Sequence, residues 1–564
     1  MLPRWSRLRL LSPLLTLTFS AGLLHGALPF SRGERWTELD IGPFYVDTSL
    51  DLPAARNALA SMEQVRWVLG GLLETQDLHS LWPIRVVFTK QGAPAQTGFE
   101  WQNGQYLLVC RPGTPIPLDQ VAGILLDANT PRLPGEVESG LRQLFSTLEA
   151  HGSHVTWGGA PAHPDLAWAR MQLFATKFEY SASFHIFLAA LKSGASIRSA
   201  ERNAFGKPDD VLEQEAAANL ASHHWQPVSV SGRPLDPKRD FGEHPLAPEI
   251  AAVYIADAEL SQNPQAAETA FNSAVGSGGP AAALGYEGLA AVAKLEKEDP
   301  LPSLQRAIAA GSKSAPVYLA AAQELPAGQA LPLLKKAAEL NPLWAEPVYL
   351  EAKLATDPHE KEELLKKAVQ LDPRGTAYWI ELAQIETTNG EASAAQGAWL
   401  RAEQSAPTDA QREQIRQQRL ASEQKRLDAE EAALRREREA VRQEDQQAQD
   451  AEMARIRAAE EKANAATASS GSPVPQEVIP WSAIVPHKKF NGYLTSVECL
   501  HTATRLSLED RTGNSLRLLL PDPSHSGLTC GPQKPVRRVT VVYAAQPDDS
   551  YHTAGSVVSL QVQP

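Results

Sequence analysis

An alanine returns five times through the middle of this chain, at Ala274, Ala307, Ala337, Ala368 and Ala402, at intervals of 33, 30, 31 and 34 residues. After each of the last three a proline follows five residues later, at Pro342, Pro373 and Pro407. A unit of that length is a supersecondary element too small to bury its own apolar face, so successive units must stack and share a core. The clearest unit runs from Trp379-Ile-Glu-Leu382-Ala383 through Ala395, Trp399 and Ala402 to Pro407. Its small residues let two helices of a hairpin approach closely, and its large aromatics fill the space between hairpins. The repeat occupies only part of the 564 residues, which at roughly 150 residues per domain leaves room for two or three further units.

Between 248 and 407 this pattern resembles the tetratricopeptide repeat. The resemblance implies an α–α superhelical solenoid whose first helices line a groove for a protein or peptide. Aligning the units by their small residues puts Tyr318, Tyr349, Lys353, Ile380 and Gln384 near that groove. For Tyr318 and Tyr349 a second reading stays open, in which the rings pack between hairpins.

The remaining text divides by composition into a multidomain, mainly α chain. Arg4, Arg7 and Arg9 precede an apolar run from Leu10 to Leu24, the order of an export signal over residues 1–27. This predicts an exported protein, periplasmic, cell-envelope associated or secreted, with a retained N-terminal membrane tether as the alternative to cleavage. Residues 35–225 alternate strand-like runs with amphipathic helices and read as an α+β domain. Residues 226–247, rich in Pro, Gly and charge, read as a linker. From 408 to 462 a long charged helix is expected, with 12 basic and 13 acidic residues between 411 and 462. Leu420, Leu427, Leu434, Val441 and Ala448 recur every seven residues there, but their companion positions are mostly Glu, Gln and Arg. Half a seam leaves two readings, a solvated helix or a coiled coil that would make a homodimer. Residues 463–478 read as a disordered linker, and 479–564 as a small β-barrel or sandwich of five strands. Of the 3 cysteines, Cys499 and Cys530 fall in that last domain. In an oxidising compartment a bridge between them would close a loop of about 30 residues, worth roughly 3–4 kcal/mol. The alternative is two buried thiols.

A second resemblance rests on Arg202-Asn-Ala-Phe205-Gly206-Lys-Pro-Asp-Asp-Val-Leu212-Glu213-Gln-Glu215 and the helices before it. From about 115 to 222 the chain is similar to gluzincin metallopeptidases of the peptidase MA-like type. Such enzymes place HExxH on one helix, two histidines on the zinc and the glutamate as base, with a Glu-Gly pair on the next helix. Here HExxH is absent, the corresponding helix reads Val121 to Asn129 without an imidazole, and the Glu-Gly position falls on Ser139-Gly140, one residue beyond Glu138. The resemblance therefore implies a scaffold without its catalyst. A non-standard metal site is the competing reading, from Glu149, His151 and His154.

A formal charge of −13 gives no footprint for nucleic acid. There is no phosphate-binding or dinucleotide glycine motif, so no cofactor is expected. The sequence predicts a non-enzymatic exported adaptor that binds a protein or peptide through its solenoid. A cell-envelope metal-dependent hydrolase and an elongated structural spacer are the alternatives.

Overall fold

The computed structural model describes residues 34–90, 96–469, 485–500, 503–521 and 528–562. The expected export signal at 1–27 and residues 470–478 of the expected linker lie outside them, while residues 463–469 of that linker are helical. Two compact units divide at Arg435/Arg436, and each is described by itself.

The first unit opens with strands β1 (Trp36–Ile41) and β2 (Phe44–Thr48), helix α1 (Leu52–Leu72), and strands β3 (Ile84–Phe88), β4 (Glu100–Gln102) and β5 (Gln105–Cys110). Asp51 caps α1 by accepting from the Ala54 N–H, and Pro53 occupies its first turn, a position that needs no donor. Helices α2 (Leu118–Asn129) and α3 (Gly135–Gln143) come next, then the hairpin β6 (Glu149–His151) and β7 (His154–Trp157). Helices α4 (Leu166–Thr176), α5 (Phe178–Ser181), α6 (Phe184–Lys192), α7 (Ile197–Phe205) and α8 (Asp209–Ser222) complete the helical part. The chain returns through β8 (Val228–Ser231), α9 (Pro237–Asp240) and β9 (Gly242–Leu246). Six strands form one sheet in the order β4-β5-β3-β2-β1-β9, parallel where β3 meets β2 and β5. β3 is buried along its whole length, as expected of a central parallel strand.

The expected linker at 226–247 is instead part of this domain. β8 adds to the β6–β7 hairpin, and β9 forms the edge of the main sheet beside β1. Gln64 on α1 fixes the segment between them, exchanging two 2.8 Å hydrogen bonds with the backbone of Arg233. Pro245 suggested a linker, yet an edge strand tolerates proline because one row of its backbone groups has no partner to lose.

Ten helices follow as five pairs: α10 (Pro248–Glu259) with α11 (Pro264–Ser277), α12 (Gly279–Glu296) with α13 (Leu301–Ala309), α14 (Ala315–Gln323) with α15 (Ala327–Leu340), α16 (Ala345–Leu354) with α17 (Pro358–Leu371), and α18 (Thr376–Asn389) with α19 (Ala392–Ser405). Ala274, Ala307, Ala337, Ala368 and Ala402 each lie on the second helix of a pair, and all five are 0% exposed. Asx turns open the fourth and fifth hairpins, where Asn341 and Asp372 accept from the N–H of Leu343 and Arg374. Helix α20 spans Asp409–Ser469. Among the described residues no helix is long and apolar enough to cross a membrane.

The second unit carries strands β10 (His487–Cys499), β11 (Thr504–Glu509), β12 (Ser515–Leu520), β13 (Gly531–Ala544) and β14 (Ser556–Val562). Their pairing runs β10-β11-β12-β14-β13 and back to β10, with Leu519 and Ser556 as the single parallel pair at the β12–β14 seam. Leu494, Leu506, Leu508, Leu518, Val539 and Val541 fill the interior. A disulfide joins Cys499, at the end of β10, to Cys530, just before β13.

Candidate binding site

The sheet domain and the helix pairs share their cores. Ala251, Ile255 and Ala258 of α10 pack on Trp36, Val87, Leu107 and Val109 of the sheet. Trp82, just before β3, enters the hairpins beside Ala315, Tyr318 and Leu319, and its ring meets that of Trp344 edge-on at 4.9 Å. Polar contacts continue along the loops between hairpins. Asn341 donates to the Leu81 carbonyl at 2.9 Å and Arg132 to that of Ser405 at 2.9 Å. Arg374 reaches Asp127 at 2.6 Å, Glu138 at 2.7 Å and the Thr130 carbonyl at 2.9 Å.

Where the two layers part, they leave a recess of about 1100 Å³ between the sheet and the first helices of the first two hairpins. Trp82, Arg85, Asn103, Tyr254, Asp257 and Glu287 face it. Arg85 is held from behind, with its Nη1 donating to Asp47 at 2.6 Å and Glu38 at 2.8 Å. Its guanidinium lies over the rings of Tyr45 and Tyr254. Burial pushes the Asp47 carboxyl up to about 6, against the pull of Arg85.

The opposite wall carries two acids that are bonded to no cation among the described residues. Asp257 is buried, accepts from the Asn103 amide at 2.8 Å, and is raised well above the carboxylate range by burial and then by the charge of Glu287. Glu287 accepts from the Ser312 hydroxyl at 2.6 Å, and burial pushes it up to about 7. Such groups can donate a hydrogen bond while protonated and can ionise against an incoming cationic group, so the recess suits a ligand carrying amides or an amine. Sequence reasoning missed both acids. The available signal was an Asp in Ala256-Asp257-Ala258 and a Glu in Tyr286-Glu287-Gly288, charges set among small residues on core helices.

The residues expected to line a groove are divided by the structure. Tyr318 is buried with Trp82 and donates to the Ser312 carbonyl at 3.1 Å. Tyr349 is buried against the Tyr378 ring at 4.6 Å and donates to Glu381 at 2.5 Å. Both rings sit between packed elements, Tyr318 against Trp82 of the sheet domain and Tyr349 bonded to Glu381 of the next hairpin. Ile380 is half-buried against the last hairpin core. Lys353 and Gln384 stay exposed, the lysine with its ammonium 5.3 Å from the Tyr349 ring centre.

The segment read as a candidate metal site is the β6–β7 hairpin, with His151 opposite His154. Glu149, His151 and His154 are all exposed, and Glu149 approaches only His151, at 3.2 Å. Asp165 caps α4 by accepting from the Trp168 N–H at 2.8 Å. On α2, Val121, Ala122, Leu125 and Leu126 are buried. On α3, a Cβ on Gly140 would overlap the Ala167 carbonyl oxygen, so this glycine sets the approach of α3 to α4.

Five helix pairs on a period of 30 to 34 residues, each with a fully buried alanine on its second helix, form an array of stacked α–α hairpins. No family model and no curated protein matches the sequence. Among solved structures, the chain is similar to YrrB, described as a TPR protein with an unusual peptide-binding site, at 16% identity over 30% of this chain and 92% of that one, with a TM-score of 0.25. It is also similar to MamA, at 16% identity over 27% and 94% with a TM-score of 0.24. Yeast Tom70 matches at 16% identity over 55% of each chain, with a TM-score of 0.28.

Proposed function

We propose that this protein is an exported, non-enzymatic adaptor that takes a protein or peptide segment into the recess between its sheet domain and its first two hairpins. The observation that carries the reading is the pair Asp257 and Glu287, two buried acids on first helices that face an open recess and are bonded to no cation among the described residues. The metallopeptidase-like domain serves as a wall of the site. Its buried apolar α2 and the packing role of Gly140 support a scaffold without catalysis. The leading basic and apolar run supports export, as does the Cys499–Cys530 bridge, since disulfides persist in oxidising compartments.

The test is affinity purification from the native envelope with quantitative mass spectrometry. It compares the wild type with Glu287→Gln at the recess and with the double variant Lys353→Ala, Gln384→Ala on the later hairpins. A partner lost only from Glu287→Gln supports the recess. Loss from the double variant alone moves the site to the later hairpins, and equal recovery from all three sinks the adaptor reading.

A second surface is favoured by Leu420, Leu427, Leu434 and Val441 on α20, each about half exposed. This supports the homodimer reading, for which a monomeric mass in sedimentation equilibrium at the highest soluble concentration would be decisive against.

A further inference from the structure

The turn that closes the fifth hairpin collects three carboxylates, two from helices and one from the turn itself. Glu362 lies on α17 and Glu386 in the last turn of α18, while Glu391 immediately precedes α19. One carboxylate oxygen from each lies within 4.8 Å of the other two. The backbone makes this convergence. Gly390 ends α18 in the left-handed conformation, and the Glu391 N–H folds back onto the Glu386 carbonyl at 2.9 Å.

The three acids are unequally provided for. Glu362 accepts from Lys366 at 2.7 Å and from the Asn389 amide at 2.6 Å. Lys366 is shared with Glu363 at 3.1 Å. Glu391 is exposed at the start of α19, where the helix dipole favours an anion. Glu386 is 4% exposed, and its Oε2 is buried with no hydrogen-bond partner. It also sits at the negative end of α18, where a carboxylate is disfavoured. A buried carboxylate oxygen without a donor is rare enough to call for an explanation. Lys366 and the exposed His359 are the cationic groups that act on this cluster, and neither bonds Glu386.

We propose that Glu362, Glu386 and Glu391 hold a hard divalent cation, Ca²⁺ in the first instance. Three oxygen ligands without imidazole or thiolate select a hard ion. Oxygens on opposite sides of Ca²⁺ stand about 5 Å apart, a span that the present separations accommodate with little movement. Lys366 keeps Glu363 as its partner when the ion enters, and water completes the coordination. The cation supplies the partner that Glu386 lacks and ties α17, α18 and α19 together at one end of the array.

Calorimetric titration of CaCl₂ into the metal-free full-length protein, with thermal unfolding in parallel, tests the proposal. Wild type is compared with Glu391→Gln, an exposed change that leaves the hairpin intact, and with Glu386→Gln. We expect one Ca²⁺ per chain with a Kd of order 10⁻⁴ to 10⁻³ M, and a Tm that rises with Ca²⁺. Each variant should bind at least about tenfold more weakly, and Glu386→Gln should have the higher Tm of the metal-free proteins, because a buried carboxylate has been replaced by a neutral amide. No binding by the wild type at about 10 mM Ca²⁺, or equal affinity in all three proteins, overturns the site.

Discussion

Nη2 of Arg374, in the loop before the fifth hairpin, donates to Oε1 of Glu138 at 2.7 Å, while Nη1 of the same guanidinium reaches Asp127. The two acids come from α2 and α3 of the sheet domain, and they grip a cation from the repeat array. The Arg374 side chain is 9% exposed, so its removal leaves Glu138 largely buried and unpaired. We predict that Arg374→Ala destabilises the first unit by about 2–4 kcal/mol in urea unfolding. Arg374→Lys should recover less than half of that, since an ammonium cannot span both acids and the Thr130 carbonyl.

Gly140 allows α3 to approach α4, and a methyl group there has no room beside the Ala167 carbonyl and Met171. Gly140→Ala should cost about 1–3 kcal/mol through overpacking, despite the better helix propensity of alanine. A stability equal to or above wild type in denaturant unfolding would show that the two helices can separate without loss.

Glu287 should make the protein pH-sensitive in a defined direction. Its folded pKa is pushed up to about 7 by burial, above an ordinary value of 4.5, so folding takes up a proton in that window. Stability therefore falls as pH rises from 4.5 to 7, the full cost remains above 7, and no cost exists below 4.5. Glu287→Gln keeps an acceptor for the Ser312 hydroxyl and removes the titration. The variant's Tm should match wild type near the acid end and exceed it at alkaline pH. A difference independent of pH would mean that Glu287 is not the titrating group.

Opening the Cys499–Cys530 bridge releases a loop closed over a sequence separation of 31 residues. The double change to serine should lower the stability of the second unit by roughly 3 kcal/mol and leave the transition of the first unit unmoved. Differential scanning calorimetry with and without reductant separates the two. Reductant should change nothing further in the serine variant.

The parts legible in the sequence were those governed by period. The five recurring alanines marked the tight points of the hairpins, and the strand-like runs read over 35–225 include β3, in which nothing polar but Arg85 interrupts the apolar residues. Long-range pairing left no such mark. Gly242–Leu246 has the composition of a linker and becomes a strand only because β1 offers an edge more than 200 residues earlier in the chain. Tyr318 and Tyr349 had the spacing of groove residues, and Ser312 and Glu381 decide that they point elsewhere. Asp257 and Glu287 became a site only when the sheet domain was laid against their helices, which no local pattern reports.

Trp82, Leu81, Thr130 and Arg132 touch successive hairpins along one margin of the array. A free stack of helix pairs behaves as a spring, each joint adding a little bend and twist, and ligands commonly work by changing its pitch. Here the sheet domain acts as a splint laid across the coils from the third hairpin to the fifth. The curvature of that stretch is set during folding, before any ligand arrives. Any segment that docked on those hairpins would have to match a fixed shape, and in return would lose little affinity to ordering its host.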